Sequence, residues 1–505
     1  MGMWFLDKGG RGPMQRMVLL GVLVVFFLTA VSFAAAVNAE SLIYVEKIIT
    51  QVSAILTEEE IEEVVGKYER RTVSIQDLNE AVAEFNQLYH DKGYVTAQAL
   101  LPHQTIEDGI VHITLVEGRI GEFFVAGNES TNAEFLTDRI GLKSGDLFEL
   151  KVLEEDILRL NLTHNIQLKG SLQAGSSYGT TDVVLNVHEP KNFNGQLFVD
   201  NAGRKETGFY RTGLTMTTHS LTGRRDQLNL NYLRSKAVNS GSLSYDIPVR
   251  SQGERMSLSY SRSHAKIISG PFETSDIEGR TILAGLEYRY PGQVSVARKT
   301  EFRGAFNYRI SSNLFDEVEL TSTRYQTLTG GWNSHVTGTN YTRSIRYNVN
   351  RSFGEDIESF YKLDGQFAFQ SVRDNGHHYS IRASGQWTSN ELLLSSEQYG
   401  IGGMNTVRGF PEGVIAGDSG YLLSGEYHFS VSDLVNSFVF LDHGGVIPYK
   451  GDDETMDEND YITSIGLGTV IALNQNISGR LVVGIPIYSE GYRTMYHFSV
   501  QTILW

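Results

Sequence analysis

Residues 282–290 read Ile-Leu-Ala-Gly-Leu-Glu-Tyr-Arg-Tyr. Ile282, Ala284, Leu286, Tyr288 and Tyr290 fall on one face of an extended chain, and Glu287 and Arg289 on the other, because strand side chains alternate with a period of two. The same period governs the chain after Pro190. Leu228, Leu230 and Tyr232 alternate with Gln227, Asn229 and Asn231, and Met256, Leu258 and Tyr260 alternate with Ser257, Ser259 and Ser261. Leu243, Tyr245, Ile247 and Val249 form another apolar face. Leu363, Phe367 and Phe369 oppose Asp364, Gln366 and Gln370, while Tyr421, Leu423, Tyr427 and Phe429 oppose Ser424, Glu426 and His428. Alternation alone fits a soluble sandwich as well as a barrel. Apolar faces heavy in Tyr and Phe, charged polar faces and runs of about ten residues select a transmembrane antiparallel β-barrel over residues 191–505. In lipid only a closed barrel satisfies every backbone group, so closure follows from location.

The N-terminus supplies the route out of the cytoplasm. Lys8, Arg11 and Arg16 precede an apolar run over residues 17–33, followed by Ala34-Ala35-Ala36-Val37-Asn38-Ala39 with small residues placed for a peptidase. Residues 1–39 therefore read as a signal peptide. Cleavage removes three positive charges and Asp7, so the formal charge of −16 over 505 residues becomes −18. The chain has no cysteine, which excludes disulfides and thiolate zinc sites. Its acidic balance argues against a nucleic-acid partner. No later run of 18 apolar residues offers a spanning helix. Glycine stands at 51, proline at 9, and Tyr plus Phe at 50, the proportions of a long β-protein with aromatic girdles.

Between these regions the periodicity is mixed. Ile43-Tyr44-Val45-Glu46-Lys47-Ile48-Ile49 is β-like, and Thr57 with Glu60 makes a capping box ahead of Ile61, Val64 and Val65. A second helix opens at Ser74 to Asp77, carries Leu78, Val82, Phe85 and Tyr89, and stops at Gly93. Extended runs follow at residues 94–101 and 109–116. This β-α-α-β-β order repeats at once. A strand at 120–125 leads to a capping box of Thr131 and Glu134, a helix over 150–160, and strands at 166–172 and 182–187. The repeat divides the region into modules at 40–118 and 119–190.

Lys92-Gly93-Tyr94-Val95-Thr96-Ala97, Leu101-Pro102-His103-Gln104 and Leu115-Val116-Glu117-Gly118-Arg119-Ile120-Gly121 resemble the first POTRA domain of two-partner secretion transporters, and the next module resembles the second. Asp200-Asn201-Ala202-Gly203 with Thr207-Gly208 and Arg211-Thr212-Gly213 resembles the start of that family's barrel, and Gly223-Arg224-Arg225-Asp226 the turn after its second strand; both read as turn chemistry. The resemblance covers nearly all of the mature chain. It implies sixteen strands, short periplasmic turns such as Arg250-Ser251-Gln252-Gly253, and a partner exoprotein with a β-helical domain of the adhesin or haemolysin kind. POTRA units bind extended clients by adding a strand to a sheet edge. The first strand lies within about four residues of the cleavage site, so no N-terminal plug helix is expected.

Two short motifs carry the mechanism. Val407-Arg408-Gly409-Phe410 follows Gly402-Gly403 and precedes Gly413, and Phe440-Leu441-Asp442-His443-Gly444 lies on a strand where Asp442 shares its face with Phe438 and Phe440. By resemblance, the first is the tip of an inward-folded loop near 402–414 and the second its docking strand. Arg408 would then pair with Asp442 in a partly wet lumen, a bidentate contact that Lys would not reproduce. Gly409 would permit the turn, Phe410 would seat the tip, and Val407, Phe440 and Gly444 would complete the latch. His443 reads as a bystander.

No nucleophile elbow, His-Glu-x-x-His or P-loop occurs, and no catalytic residue, cofactor or metal is assigned. The acidic stretch from Asp452 to Asp460 reads as a solvated loop, and His377-His378 with Asp374 as a weak metal pattern. Residues 499–503 carry two competing alternations before Trp505, for which a bulge near Gln501 is the expected solution. The expected function is therefore capture and secretion of an unfolded partner from the outer membrane, with POTRA domains in the periplasm, lipid around the barrel and the barrel-assembly machinery for insertion. A barrel-assembly factor is the main alternative, and a diffusion porin or surface enzyme the lesser ones. Two POTRA units favour secretion over assembly.

Overall fold

The computed structural model describes residues 42–373, 375–388, 393–447, 461–487 and 491–504. The signal-peptide stretch and any helix ahead of Ile43, Asp374, the acidic loop from Asp452 to Asp460, and Trp505 lie outside them. The chain divides into two compact units, the first running to Arg119 with residues 147–150 and 177–181, the second holding the remainder.

The first unit carries β1 (Ile43–Val45), β2 (Lys47–Thr50), α1 (Glu58–Val65), β3 (Arg71–Val73), α2 (Ile75–Asp91), β4 (Gln98–Leu100) and β5 (Ile110–Val116). The expected order is present with two departures. The opening β-run breaks at Glu46, and its first half pairs with a short extra strand, β3, between the helices. Residues 94–97 are turn, so the strand expected over 94–101 shrinks to β4. Both helix starts are capping boxes: Thr57 with Glu60, and Ser74 with Asp77. The apolar stripe Leu78, Phe85 and Tyr89 is fully buried against Val45, Val111 and Ile113 in one core.

The next module carries β6 (Arg119–Ala126), α3 (Ala133–Thr137), α4 (Leu150–Thr163), β7 (Gln167–Ala174) and β8 (Thr180–His188), its strands forming a sheet in the order β6-β8-β7. The capping box expected at Thr131 does not form. Asn132 is the N-cap, without a side-chain hydrogen bond. Glu189 instead accepts from the backbone nitrogens of Ser130 and Thr131, both at 3.0 Å, and from the Ser130 hydroxyl. A carboxylate from beyond β8 thus replaces the local cap, so a sequence-local rule could not find it.

The barrel strands are β9 (Phe193–Asp200), β10 (Arg211–His219), β11 (Gln227–Arg234), β12 (Val238–Pro248), β13 (Arg255–Lys266), β14 (Ile277–Val294), β15 (Arg298–Phe315), β16 (Val318–Thr337), β17 (Tyr341–Gly354), β18 (Ile357–Val372) and β19 (His378–Thr388). After the short ribbon β20 (Tyr399–Ile401) and β21 (Ile415–Gly417), the wall resumes with β22 (Ser419–Ser432), β23 (Val435–Ile447), β24 (Tyr461–Ala472), β25 (Ile477–Ile487) and β26 (Met495–Ile503). Sixteen antiparallel strands close into one barrel, and among the described residues β20 and β21 pair only with each other. The pattern predicted at 282–290 recurs around most of the wall. Leu230, Tyr260, Leu286, Tyr288 and Tyr347 are exposed outward. Inward polar residues form ladders, with Asn348 and Asn350 donating to Asp364 at 2.6 and 2.7 Å.

Two details position the site. At the seam, the Asn201 side chain accepts from the Phe498 nitrogen and donates to the Tyr496 carbonyl, both at 2.8 Å, clasping the last strand. No bulge occurs at Gln501, because β26 keeps regular register with both β25 and β9. Tyr496, Phe498 and Val500 share the outward phase of Val199, so the other alternation faces the lumen. Below β10, Arg225 is only 2% exposed. It donates to the Asn192 side chain at 3.1 Å and to the Asn165 carbonyl, and lies 3.7 Å from Glu189. The turn read as simple turn chemistry is therefore a fastener between the second α/β module and the barrel.

Candidate functional site in the barrel lumen

Residues 393–418, between β19 and β22, do not project away from the wall. Their ribbon β20–β21 carries the tip 402–414 against the lumen-facing side chains of β22, β23 and β25. The tip bends at Gly402, Gly403, Gly409 and Gly413, whose φ angles are 106°, 108°, 97° and 61°. At Gly402, Gly403 and Gly409 the φ lies beyond the left-handed helical well, where only glycine avoids strain.

At the tip Arg408 is fully buried. Its Nε and one terminal nitrogen donate to the two Asp442 oxygens, each at 2.7 Å, and its backbone nitrogen donates to Asp442 at 3.1 Å. The second terminal nitrogen donates to Glu426 on β22 at 2.5 Å. The guanidinium lies over the Phe440 ring at 3.6 Å, with Phe438 at 5.8 Å. Both aromatics thus face inward beside Asp442, where the period of two puts them. The environment is dry rather than partly wet, since Asp442 is 0% exposed as well. Desolvating a guanidinium is costly, and here two carboxylates and an aromatic face offset it. Glu426 is itself a hub, with Arg382 at 3.5 Å, Arg480 at 3.6 Å and His428 at 2.8 Å.

The remaining motif residues pack the tip. Val407 and Phe410 are fully buried with Ile401, Leu422, Val446 and Ile462 in an apolar cluster. Phe410 meets Tyr492 edge-on at 5.1 Å. A Cβ on Gly444 would stand 2.8 Å from the Tyr421 carbonyl, 2.9 Å from Ile401 and 3.4 Å from Val407, so the strand must be bare where the ribbon lies on it. His443, on the opposite face, bonds Tyr421 and Thr463 at 2.9 Å each and takes no part. Of the other suggested residues, His377 bonds the Tyr427 hydroxyl at 2.5 Å and His378 stacks on His428. Among the described residues no cluster of His, Cys, Asp or Glu is placed to hold a metal.

The sequence reading missed three partners. Glu426 was visible as a charge on the polar face of its strand, yet nothing local tied it to Arg408. Gly484 is a bare strand position against which Gly409 lies. Glu397, ahead of the ribbon, is buried in the lumen on a separate set of wall residues. Beside the tip the lumen keeps a cavity of about 520 Å³, lined among others by Arg289, Glu301, Arg346, Gln366, Arg382 and Asn405.

Comparison with known proteins gives a consistent picture. The family described as haemolysin secretion/activation protein ShlB/FhaC/HecB matches residues 179–470, and the ShlB-type POTRA domain matches residues 43–118. The chain is 24% identical to the heme/hemopexin transporter protein HuxB of Haemophilus influenzae (strain 86-028NP), over 81% of this chain and 77% of the relative. It is 23% identical to the outer membrane transporter CdiB of Escherichia coli O6:K15:H31 (strain 536 / UPEC), over 90% and 81%. Among solved structures, CdiB from Escherichia coli superposes with a TM-score of 0.65 at 20% identity, covering 93% of this chain and 92% of that one. BamA from Haemophilus ducreyi lacking POTRA domains 1–3 gives 0.61 at 15% identity, covering 92% and 100%, so the fold is shared with that barrel as well.

Proposed function

Because this chain belongs to the haemolysin secretion/activation family of ShlB, FhaC and HecB, and is an outer-membrane transporter that secretes a partner exoprotein through its barrel, we propose that the ribbon over residues 399–417 is its gate and Arg408 the latch. The POTRA domains stand in the periplasm, and the chain is a channel with no enzymatic role. The observation that carries the reading is a fully buried guanidinium at the ribbon tip, forked on Asp442 and bonded to Glu426. Such a cluster has two stable conditions: intact and dry, or separated with every charge rehydrated. Intermediate positions leave a buried charge unpaired at a cost of about 3–5 kcal/mol. A loop held that way switches rather than drifts.

In this reading residues 40–118 and 119–190 are the two client-receiving POTRA modules and 191–505 is the channel. Main-chain pairing along a module's sheet edge suits an unfolded client, because it tolerates any sequence. The client would be a β-helical exoprotein of the adhesin or haemolysin kind, the barrel would be inserted into lipid by the barrel-assembly machinery, and folding of the client outside would drive export. Arg408→Lys tests the latch, since it keeps the charge and removes the fork. Export of the partner should fall about as far as in Arg408→Ala, with the barrel still heat-modifiable on gels. Normal export by the lysine variant would remove the latch.

A further inference from the structure

A second polar cluster, on the other arm of the same loop, has no part in the Arg408 latch. Glu397 lies ahead of β20 and is 9% exposed inside the barrel. Lys362 of β18 donates to it at 2.5 Å, Arg309 of β15 stands at 3.1 Å, and the Tyr325 hydroxyl of β16 donates at 2.7 Å. All three face the lumen: Arg309 and Tyr325 pair directly across their strands, the residues two along on the same face, Asn307, Thr327 and Asp364, are polar, and the alternate positions Phe306 and Leu363 are exposed on the outer side. The backbone is held too. Arg309 donates to the Ser396 carbonyl at 3.4 Å, and Gln386 of β19 donates to the carbonyls of Glu397 and Asp418 at 2.8 and 2.9 Å. Tyr325 is fully buried beneath this contact, with the Arg309 guanidinium 5.7 Å from its ring.

The two clusters are opposite in sign. At the tip, a loop cation sits on the carboxylates of Glu426 and Asp442, with the wall cations Arg382 and Arg480 on the far side of Glu426. At the arm, a loop anion sits in a cationic stretch on β15 and β18. In the cyclic strand order β15 is seven steps from β26, where the tip approaches His497, so the loop is strapped nearly across the barrel. Each contact pairs a loop charge with wall charges of the opposite sign, so the two ends of the strap are held by different partners.

We infer that Glu397 is a second anchor of the gate, a positioning residue whose contacts with Arg309, Lys362 and Tyr325 hold the strap in the lumen independently of Arg408. This rests on the gate reading above. The two anchors make release a two-step event: loss of one leaves the strap tethered by the other, and both must part before the lumen clears. Glu397 is two residues from the paired ribbon, so freeing the tip alone swings the ribbon about the Glu397 end.

The test is planar-bilayer conductance of the full chain in four forms: unaltered, Arg408→Ala, Glu397→Gln, and the double variant. Heat-modifiability checks that each barrel is closed. Glu397→Gln should raise occupancy of the large-conductance level by about tenfold or more, the size expected for lost hydrogen bonds to charged groups. The double variant should exceed either single variant and stay open. Lys362→Met, which removes a partner and leaves Glu397 in place, should shift occupancy in the same direction. Glu397→Lys combined with Lys362→Glu should recover part of the closed behaviour, which a merely structural role would not produce. If Arg408→Ala opens the channel while Glu397→Gln neither opens it nor adds to the double variant, the second anchor is overturned and the gate reading stands. If Glu397→Gln opens the channel and Arg408→Ala does not, the latch reading fails and the anchor stands. No change in any variant overturns both.

Discussion

Gly409 and Gly484 meet backbone to backbone: a Cβ on Gly409 would stand 2.9 Å from the Gly484 carbonyl carbon, and one on Gly484 would stand 2.4 Å from the Gly409 nitrogen. The tip of the ribbon can reach Asp442 only because β25 is bare where it passes. Gly484→Val keeps the strand well suited to a sheet and fills that space. It should displace the tip, raise basal conductance and leave the barrel closed on gels. A conductance trace identical to that of the unaltered protein would show that the tip does not depend on this contact.

Phe440 lies 3.6 Å beneath the Arg408 guanidinium in a dry setting, where cation–π contacts reach about 2 kcal/mol. Phe440→Leu should weaken loop retention by that order. In a double-mutant cycle with Arg408→Ala the two losses should not add, since one interaction is removed by either change. Conductance-derived open probabilities for the four proteins check this, and strict additivity would show that the ring merely fills space.

Arg225 is buried between the second POTRA module and the barrel, on the Asn165 carbonyl, Asn192 and near Glu189. Arg225→Ala leaves Glu189 without its cation and the Asn165 carbonyl without this donor, at a cost of about 3–5 kcal/mol locally. Limited proteolysis between β8 and β9 should speed up markedly while the barrel core resists. Unchanged cleavage would assign the fastening to other contacts.

His164, at the end of α4, is buried against Phe135, with their rings 5.4 Å apart edge to face. Burial first, then the positive charges of Arg255, Arg139 and Arg225, push its imidazole down to about 3. Its ordinary value is about 6.5. The unfolded module takes up a proton between these values and the folded one does not. This stability contribution is therefore complete above the ordinary value and is lost as pH falls toward 3, by at most about 1.4 kcal/mol per unit. Protection factors of the α4 amides, corrected for the intrinsic pH dependence of exchange, should fall from pH 7 to pH 4.5, and His164→Gln should flatten that dependence. Equal slopes in both proteins would place the acid sensitivity elsewhere.

Much of this architecture is written in the period of the sequence. Alternation from Leu228 to Phe429 marks both the strands and which side each residue faces, because lipid and lumen impose opposite demands on neighbouring positions. The inward setting of Phe438 and Phe440 beside Asp442 follows from the same count. What the period does not carry is pairing between distant strands. Glu426 and Glu397 look like other lumen charges, and their convergence on a loop depends on barrel closure. Gly484 lacks a side chain, so only the approach of Gly409 gives it meaning. Thr131 shows the reverse error, a local signature displaced by Glu189 from another element. The regular register of β26 likewise removes the bulge that the conflicting alternation near Gln501 suggested.

The central claim is that the strap leaves its seat while the partner passes. Val407 is fully buried at the tip in the closed arrangement, and the chain has no cysteine of its own. Val407→Cys therefore places a single reporter where a membrane-impermeant maleimide cannot reach it at rest. Labelling should be negligible in cells lacking the partner exoprotein and should rise sharply when the partner is expressed and exported. An introduced thiol that stays unreactive during active export would mean that the chain passes with the ribbon still docked on Asp442, and the gate would be elsewhere.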